Sequence, residues 1–309
     1  MARIAFIGLG NMGRPMCDNL TKAGHDVVGY DVVAAARDAY AAAGGRVAAT
    51  LAEALADADT VISMIPTGKH VRAAYEGKGE GQGDGEGGVL AHARPGTMLI
   101  DCSTIDVESA RAVSKAAAEA GFVMVDAPVS GAVPAAQAGT LTFMVGGTAE
   151  GFERARPVLA AMGPKIFHVG ASGNGVALKI CNNMMAGMSM VAISEVLALA
   201  EKLGLDHQTV YDVMTVSSGN CWALQSYCPV PGPVPASPAN RDYQPGFAAA
   251  MMLKDMRLSQ DAAATSGAAT PLAGSAAALY QMLVEHGHGN KDFSAVFALI
   301  TGRLTSAGG

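Results

Sequence analysis

At 309 residues, half hydrophobic and 16% charged, the chain is long enough for two domains and buries too much apolar surface to be disordered. A formal net charge of -6 leaves no basic footprint for a phosphate backbone, which argues against nucleic acid and for a small-molecule ligand. The five cysteines, Cys17, Cys102, Cys181, Cys221 and Cys228, lack CxxC spacing and read as free thiols of a reducing, cytoplasmic protein.

The chain opens on RIAFIG (3–8), an apolar run that stops in a glycine turn with no cleavage site, so it reads as a first strand rather than a signal segment. VVGYD (27–31), TVISMI (60–65), TMLIDC (97–102), FVMVDA (122–127), LTFMVGG (141–147) and IFHVG (166–170) follow, separated mostly by helical patterns. Continuous apolar strands alternating with helices predict a doubly wound parallel sheet covered on both faces. EGKGEGQGDGEGG (76–88) carries glycine at nearly every second position and is expected to be a mobile surface loop without a function of its own.

Past Gly170 no such strands recur. Gly175 to Leu203 reads as one long helix, and 247–265 and 271–286 have helical spacing rich in alanine and methionine. Val176 to Ala200 has the length of a membrane span, but Lys179, Asn182, Asn183, Ser189, Ser194 and Glu195 interrupt it, which favours a buried helix of a soluble protein. The proline-dense stretch 229–245 is a stiff excursion between helices, either a cover for a site or a plain connector. The expected architecture is therefore α/β: a Rossmann-like doubly wound parallel sheet in 1–170, then a long helix and an all-α domain in 171–309.

The first strand runs straight into Gly8, Leu9, Gly10, Asn11, Met12 and Gly13, the GxGxxG pattern in its strand-turn-helix setting. The helix start supplies unpaired N–H groups and a positive dipole end for a pyrophosphate. Asp31 ends the second strand at about the ~20-residue offset where an acid meets the ribose hydroxyls. Its charge would repel a 2′-phosphate, and Val32 and Val33 offer no arginine to receive one, so NAD is expected rather than NADP.

GLGNMGRPM (8–16), DAPVSGA (126–132), GNGVALKICNN (173–183), SSGNCW (217–222) and KDM (254–256) occur in the order and at the spacing of the β-hydroxyacid dehydrogenases. The chain resembles that family over nearly its whole length, most closely the members acting on 3-hydroxyisobutyrate. The resemblance implies a Rossmann domain, a connecting helix, a helical C-terminal domain and an active site in the cleft between them.

On a helix, Lys179 and Asn183 lie at i and i+4 and share one face, so an ammonium and an amide point the same way. Oxidising an alcohol requires a base, and an ordinary lysine, with a pKa of ~10.4, is protonated at neutral pH. Burial on an apolar helix and a positive nicotinamide nearby would both depress it, which makes Lys179 the expected catalytic base. The alternative is a lysine whose stem packs on the core while its head reaches water.

By resemblance, Ser130, Gly131 and Ala132 hold the substrate carboxylate and Asn183 orients the substrate. Ile65, Pro66 and Thr104 line the cofactor cleft, and Lys254 reaches the nicotinamide end. Ala132 stands where the family has glycine, adding a methyl and disfavouring a positive φ, and Cys221 departs from the serine or asparagine usual before Trp222. No metal is expected, since HGH (286–288) lacks a third ligand nearby.

The expected reaction is NAD-dependent oxidation of 3-hydroxyisobutyrate to methylmalonate semialdehyde, a step of valine breakdown. Tartronate semialdehyde reduction, oxidation of L-serine or another short 3-hydroxy acid, and a catalytically silent dinucleotide-sensing scaffold are the alternatives. The apolar helices exceed what one small domain should expose, so a homodimer or homotetramer is expected.

Overall fold

The computed structural model describes residues 1–77 and 87–304, so most of the glycine-rich stretch expected as a loop lies outside the described residues. The chain divides into two compact units, Met1–Lys179 and Ile180–Gly309.

The first unit runs β1 (Arg3–Ile7), α1 (Gly13–Lys22), β2 (Asp26–Tyr30), α2 (Ala34–Ala42), β3 (Arg46–Val47), α3 (Leu51–Leu55), β4 (Thr60–Ser63), α4 (Gly68–Glu76) and α5 (Val89–His92). It continues through β5 (Met98–Asp101), α6 (Val107–Glu119), β6 (Val123–Asp126), β7 (Val129–Ser130), α7 (Ala132–Ala138), β8 (Thr142–Val145), α8 (Ala149–Leu159) and β9 (Lys165–His168). Six strands form a parallel sheet in the order β3-β2-β1-β4-β5-β6. The interior of this unit gathers Phe6, Ile62, Ile100, Val125, Phe143 and Val145. β1, β4 and β5 carry little but buried apolar side chains because helices cover both of their faces.

The sheet departs from expectation in two places. The runs at 141–147 and 166–170 do not extend the large sheet; β8 and β9 pair in parallel in a separate three-stranded sheet whose third member, β7, is antiparallel to β8. Both runs are apolar enough for a central strand, and apolarity alone does not say which neighbour a strand chooses. β3 has no counterpart among the expected strands, because two exposed residues carry no periodicity.

The second unit holds most of α9 (Asn174–Lys202), then α10 (His207–Met214), α11 (Trp222–Gln225), α12 (Ala249–Ser266), α13 (Pro271–Leu283) and α14 (Val296–Ile300). Among the described residues its only strand-like pairing is an isolated bridge, Ala248 to Asp292. α9 is long and apolar enough to cross a membrane by length and composition. Its residues Met190, Val191, Ile193, Leu197 and Ala200 nevertheless belong to the core of this unit, with Met252, Met256, Tyr280 and Phe297.

The proline-dense excursion is packed rather than loose. Ser237 Oγ donates to the carbonyl of Cys228, Tyr243 Oη to that of Pro229, and the Asp292 N–H to that of Tyr243. None of the five cysteines forms a disulfide.

Candidate active site

The turn after β1 is shaped by what its glycines must avoid. A side chain at Gly8, whose φ is +100°, would strike the Met64 carbonyl, and one at Gly13 would strike the carbonyl of Gly8. A side chain at Gly10 would meet nothing within 4 Å, so open space lies over the backbone there. α1 starts without a side-chain cap; the Arg14 N–H donates to the Gly10 carbonyl, the Met16 N–H to that of Met12, and Pro15 has no N–H, so any anion contact here falls to the turn before them.

Asp31 follows β2 and reaches back to this turn. Its carboxylate accepts from the Leu9 N–H at 2.7 Å and from the Val33 N–H at 2.9 Å. The acid is thus fixed against the glycine loop, beside β1, where the strand order reverses between β1 and β4. An open approach at Gly10, a helix start without a side-chain cap and a held carboxylate suit a dinucleotide with free ribose hydroxyls.

The loops after β4 and β5 are tied to one another. The Ile65 N–H donates to Ser103 Oγ at 2.8 Å, and Ser103 Oγ donates to Asp101 Oδ1 at 2.6 Å. Ser63 Oγ donates to the same oxygen at 2.7 Å and shares a 2.9 Å hydrogen bond with Tyr75 Oη. This buried network sets the backbone course of Ile65, Pro66 and Thr104. Burial pushes the Asp101 carboxyl up to about 6, against the lowering effect of the bonds from Ser103 and Ser63.

Ser130 ends β7, and Gly131 and Ala132 turn the chain into α7. Gly131 has φ +129° and Ala132 φ +55°, so the alanine occupies the left-handed region at a cost of roughly 1 kcal/mol. The methyl expected to disfavour a positive φ has not prevented one.

Lys179 is 7% exposed, so nearly all of the residue is out of water. The helix carrying it is anchored by Asp126, at the end of β6. Asp126 Oδ1 accepts from the Gly173 N–H at 2.7 Å and Oδ2 from the Val176 N–H at 2.9 Å. Side chains at Gly146 or Gly175 would come within 2.5 and 2.7 Å of these oxygens. One carboxylate therefore fixes the start of α9, and Ser130 lies four residues further along the same chain segment.

In the second unit Asn183 is buried, and its Nδ2 donates to Asp255 Oδ2 at 2.5 Å while its Oδ1 accepts from Asn182 at 3.0 Å. Lys254 Nζ lies 3.2 Å from the other oxygen of Asp255. This acid orients Asn183 by a hydrogen bond and lies within ion-pair distance of Lys254. Trp222 is half exposed and stacks on Tyr227 with ring centres 5.1 Å apart, and Tyr227 Oη donates to the buried Asp292.

Sequence reasoning overlooked Asp101, Asp126 and Asp255. They lie within TMLIDC (97–102), DAPVSGA (126–132) and KDM (254–256). A lone acid closing or interrupting a buried apolar run is the signal that marks them.

The strand order, glycine turn and held acid define a dinucleotide-binding oxidoreductase. Residues 3–170 match the family described as the NAD binding domain of 6-phosphogluconate dehydrogenase, and residues 173–300 match the one described as NAD-binding of NADP-dependent 3-hydroxyisobutyrate dehydrogenase. The 3-hydroxyisobutyrate dehydrogenase of Pseudomonas aeruginosa is 45% identical over 305 residues, covering 98% of this chain and 100% of that protein. The NAD-dependent L-serine dehydrogenase of the same organism is 46% identical over 296 residues, covering 96% and 97%. A solved structure of the Mycobacterium tuberculosis 3-hydroxyisobutyrate dehydrogenase with L-serine superposes with a TM-score of 0.90 at 50% identity, covering 97% and 99%. The chain belongs to the β-hydroxyacid dehydrogenase family that contains the 3-hydroxyisobutyrate dehydrogenases, and is an NAD-dependent oxidoreductase.

Proposed function

We propose that the protein oxidises 3-hydroxyisobutyrate to methylmalonate semialdehyde with NAD⁺, as a cytoplasmic enzyme of valine breakdown. Residues 1–170 form the NAD-binding domain in this reading, and 171–309 serve substrate binding and assembly into a homodimer or homotetramer. The observation that carries it is the burial of Lys179 near the start of a helix pinned by Asp126.

In this reading Gly8, Gly10, Asn11, Met12 and Gly13 hold the pyrophosphate, Asp31 the ribose hydroxyls, and Ile65, Pro66, Thr104 and Lys254 the rest of the cofactor. NAD⁺, when bound, supplies the hydride acceptor. Ser130 and the backbone N–H groups of Gly131 and Ala132 hold the substrate carboxylate as an anion nest does. Asn183, oriented by Asp255, donates its remaining amide hydrogen to the substrate. Neutral Lys179 takes the hydroxyl proton as the carbon-bound hydrogen leaves.

A second reading, oxidation of L-serine, draws on the relative of that activity and on the amino acid named in the Mycobacterium structure. Both substrates present a carboxylate and a primary hydroxyl one carbon further on, so the same residues serve either.

The test is NADH formation on the two 3-hydroxyisobutyrate enantiomers, L-serine and glycerate, by wild type and Lys179→Ala. Turnover of one acid, reduced by about 10²–10⁴-fold in the variant with NADH binding retained, is the expected result. Undiminished turnover in Lys179→Ala would remove it as the base, and no turnover of any acid would overturn the substrate class.

A further inference from the structure

The carboxylate of Asp31 fills a site built for an anion. Two backbone donors converge on it, from Leu9 at 2.7 Å and from Val33 at 2.9 Å. A third donor stands beside them: the Arg37 guanidinium donates to the backbone carbonyl of Asp31 and rests over the Tyr30 ring, 5.9 Å from its centre. Val32 and Val33 hold no cation, but the first turn of α2 brings one back from six residues beyond the acid. N–H groups and a guanidinium are the kinds of donor that bind a phosphate. Here the protein's own carboxylate occupies the two N–H groups, and the guanidinium is held on the carbonyl of the same residue.

We propose that Arg37 is a cofactor-specificity residue. With Asp31 in place it braces the backbone that presents the acid to the ribose hydroxyls; with the acid removed it becomes the anchor for a 2′-phosphate. The inference rests on the reading of Asp31 given above and extends it. A single substitution then suffices to admit NADPH, because the cation and both backbone donors are already present, and no arginine needs to be introduced at position 32.

The geometry supports this in two further ways. Arg37 is half-buried and held at both ends of its guanidinium environment, by a carbonyl and by an aromatic face, so little rotamer freedom remains to be lost on binding. A serine at position 31 would free the Leu9 and Val33 N–H groups while adding a hydroxyl donor of its own.

The test measures dissociation constants of NADH and NADPH by fluorescence titration of the protein without substrate, for wild type, Asp31→Ser, Arg37→Ala and the double variant. Wild type should prefer NADH. Asp31→Ser should tighten NADPH by at least about tenfold, the factor one charge-assisted hydrogen bond carries, and the double variant should lose that gain. Arg37→Ala alone should still reject NADPH, since the acid remains. Equal NADPH affinity in Asp31→Ser and the double variant would overturn the role of Arg37 while leaving that of Asp31 intact. No gain in Asp31→Ser would overturn the preformed site. Equal affinity of wild type for both cofactors would instead sink the assignment of Asp31 itself.

Discussion

Asp101 shows how a buried residue outside the chemistry governs stability. An aspartate titrates near 3.8 when unfolded, whereas burial lifts this one to about 6 in the fold. Between those values the folded protein keeps a proton that the unfolded chain has released, so this group's contribution is largest below pH ~4 and is lost as pH rises through about 6. The span corresponds to roughly 3 kcal/mol. Asp101→Asn cannot titrate, so thermal melts of the variant against wild type should move in the variant's favour from pH 4 to 7 and then run parallel. A constant offset across that range would show that Asp101 is equally ionised in both states. At this scale the sequence made Lys179, Asn183, Asp31 and the glycine turn legible, because each belongs to a pattern with a fixed spacing. Arg37, Asp101, Asp126 and Asp255 were not legible, because their importance lies in which backbone groups they meet after folding, and no spacing encodes that.

Among the elements, α9 depends most on a single remote residue. Its entry turn has the Gly173 and Val176 N–H groups buried on Asp126, a strand residue 47 and 50 positions earlier. Asp126→Ala would leave both donors without their carboxylate at a cost of ~1–3 kcal/mol each. Hydrogen exchange should then show lost protection over the first turns of α9, with protection in β1, β4 and β5 retained; unchanged protection at Val176 would show that the cap is dispensable. The long helix itself was legible from its apolar length, as were β1, β2, β4, β5 and β6. The departure of β8 and β9 into their own sheet was not, since β8 pairs with β7 only because the turn after Asp126 folds back on it. Ala132 belongs with these cases: the αL conformation demanded by that turn overrides the preference of its own residue type.

For the molecule as a whole, α9 leaves an account to settle. Just under half of its most apolar stretch is buried. Met185, Ala192, Val196 and Leu199 fall within one narrow stripe of the helix at steps of seven, four and three residues, and all are exposed, Met185 at 59% and Leu199 at 61%. An apolar stripe about 21 Å long is a seam suited to a second copy of the same helix. Light scattering should give a mass above that of a single 31.2 kDa chain, and Leu199→Lys should lower it. A monomer in wild type would contradict the assembly. The composition made this surplus visible before the fold did, although which face remained uncovered required the helix to be seen in place.

The edges of the large sheet carry a different consequence. β3 closes one side with only two residues, and its Arg46 is paired with Asp26. On the other side, the end of β6 is bridged at Gly146. A long bare strand at either margin would invite foreign chains to add on and grow into aggregates, and short, charged or occupied margins refuse them. The large sheet's margins, one short and charged and the other bridged at its end, therefore offer a foreign strand little to build on.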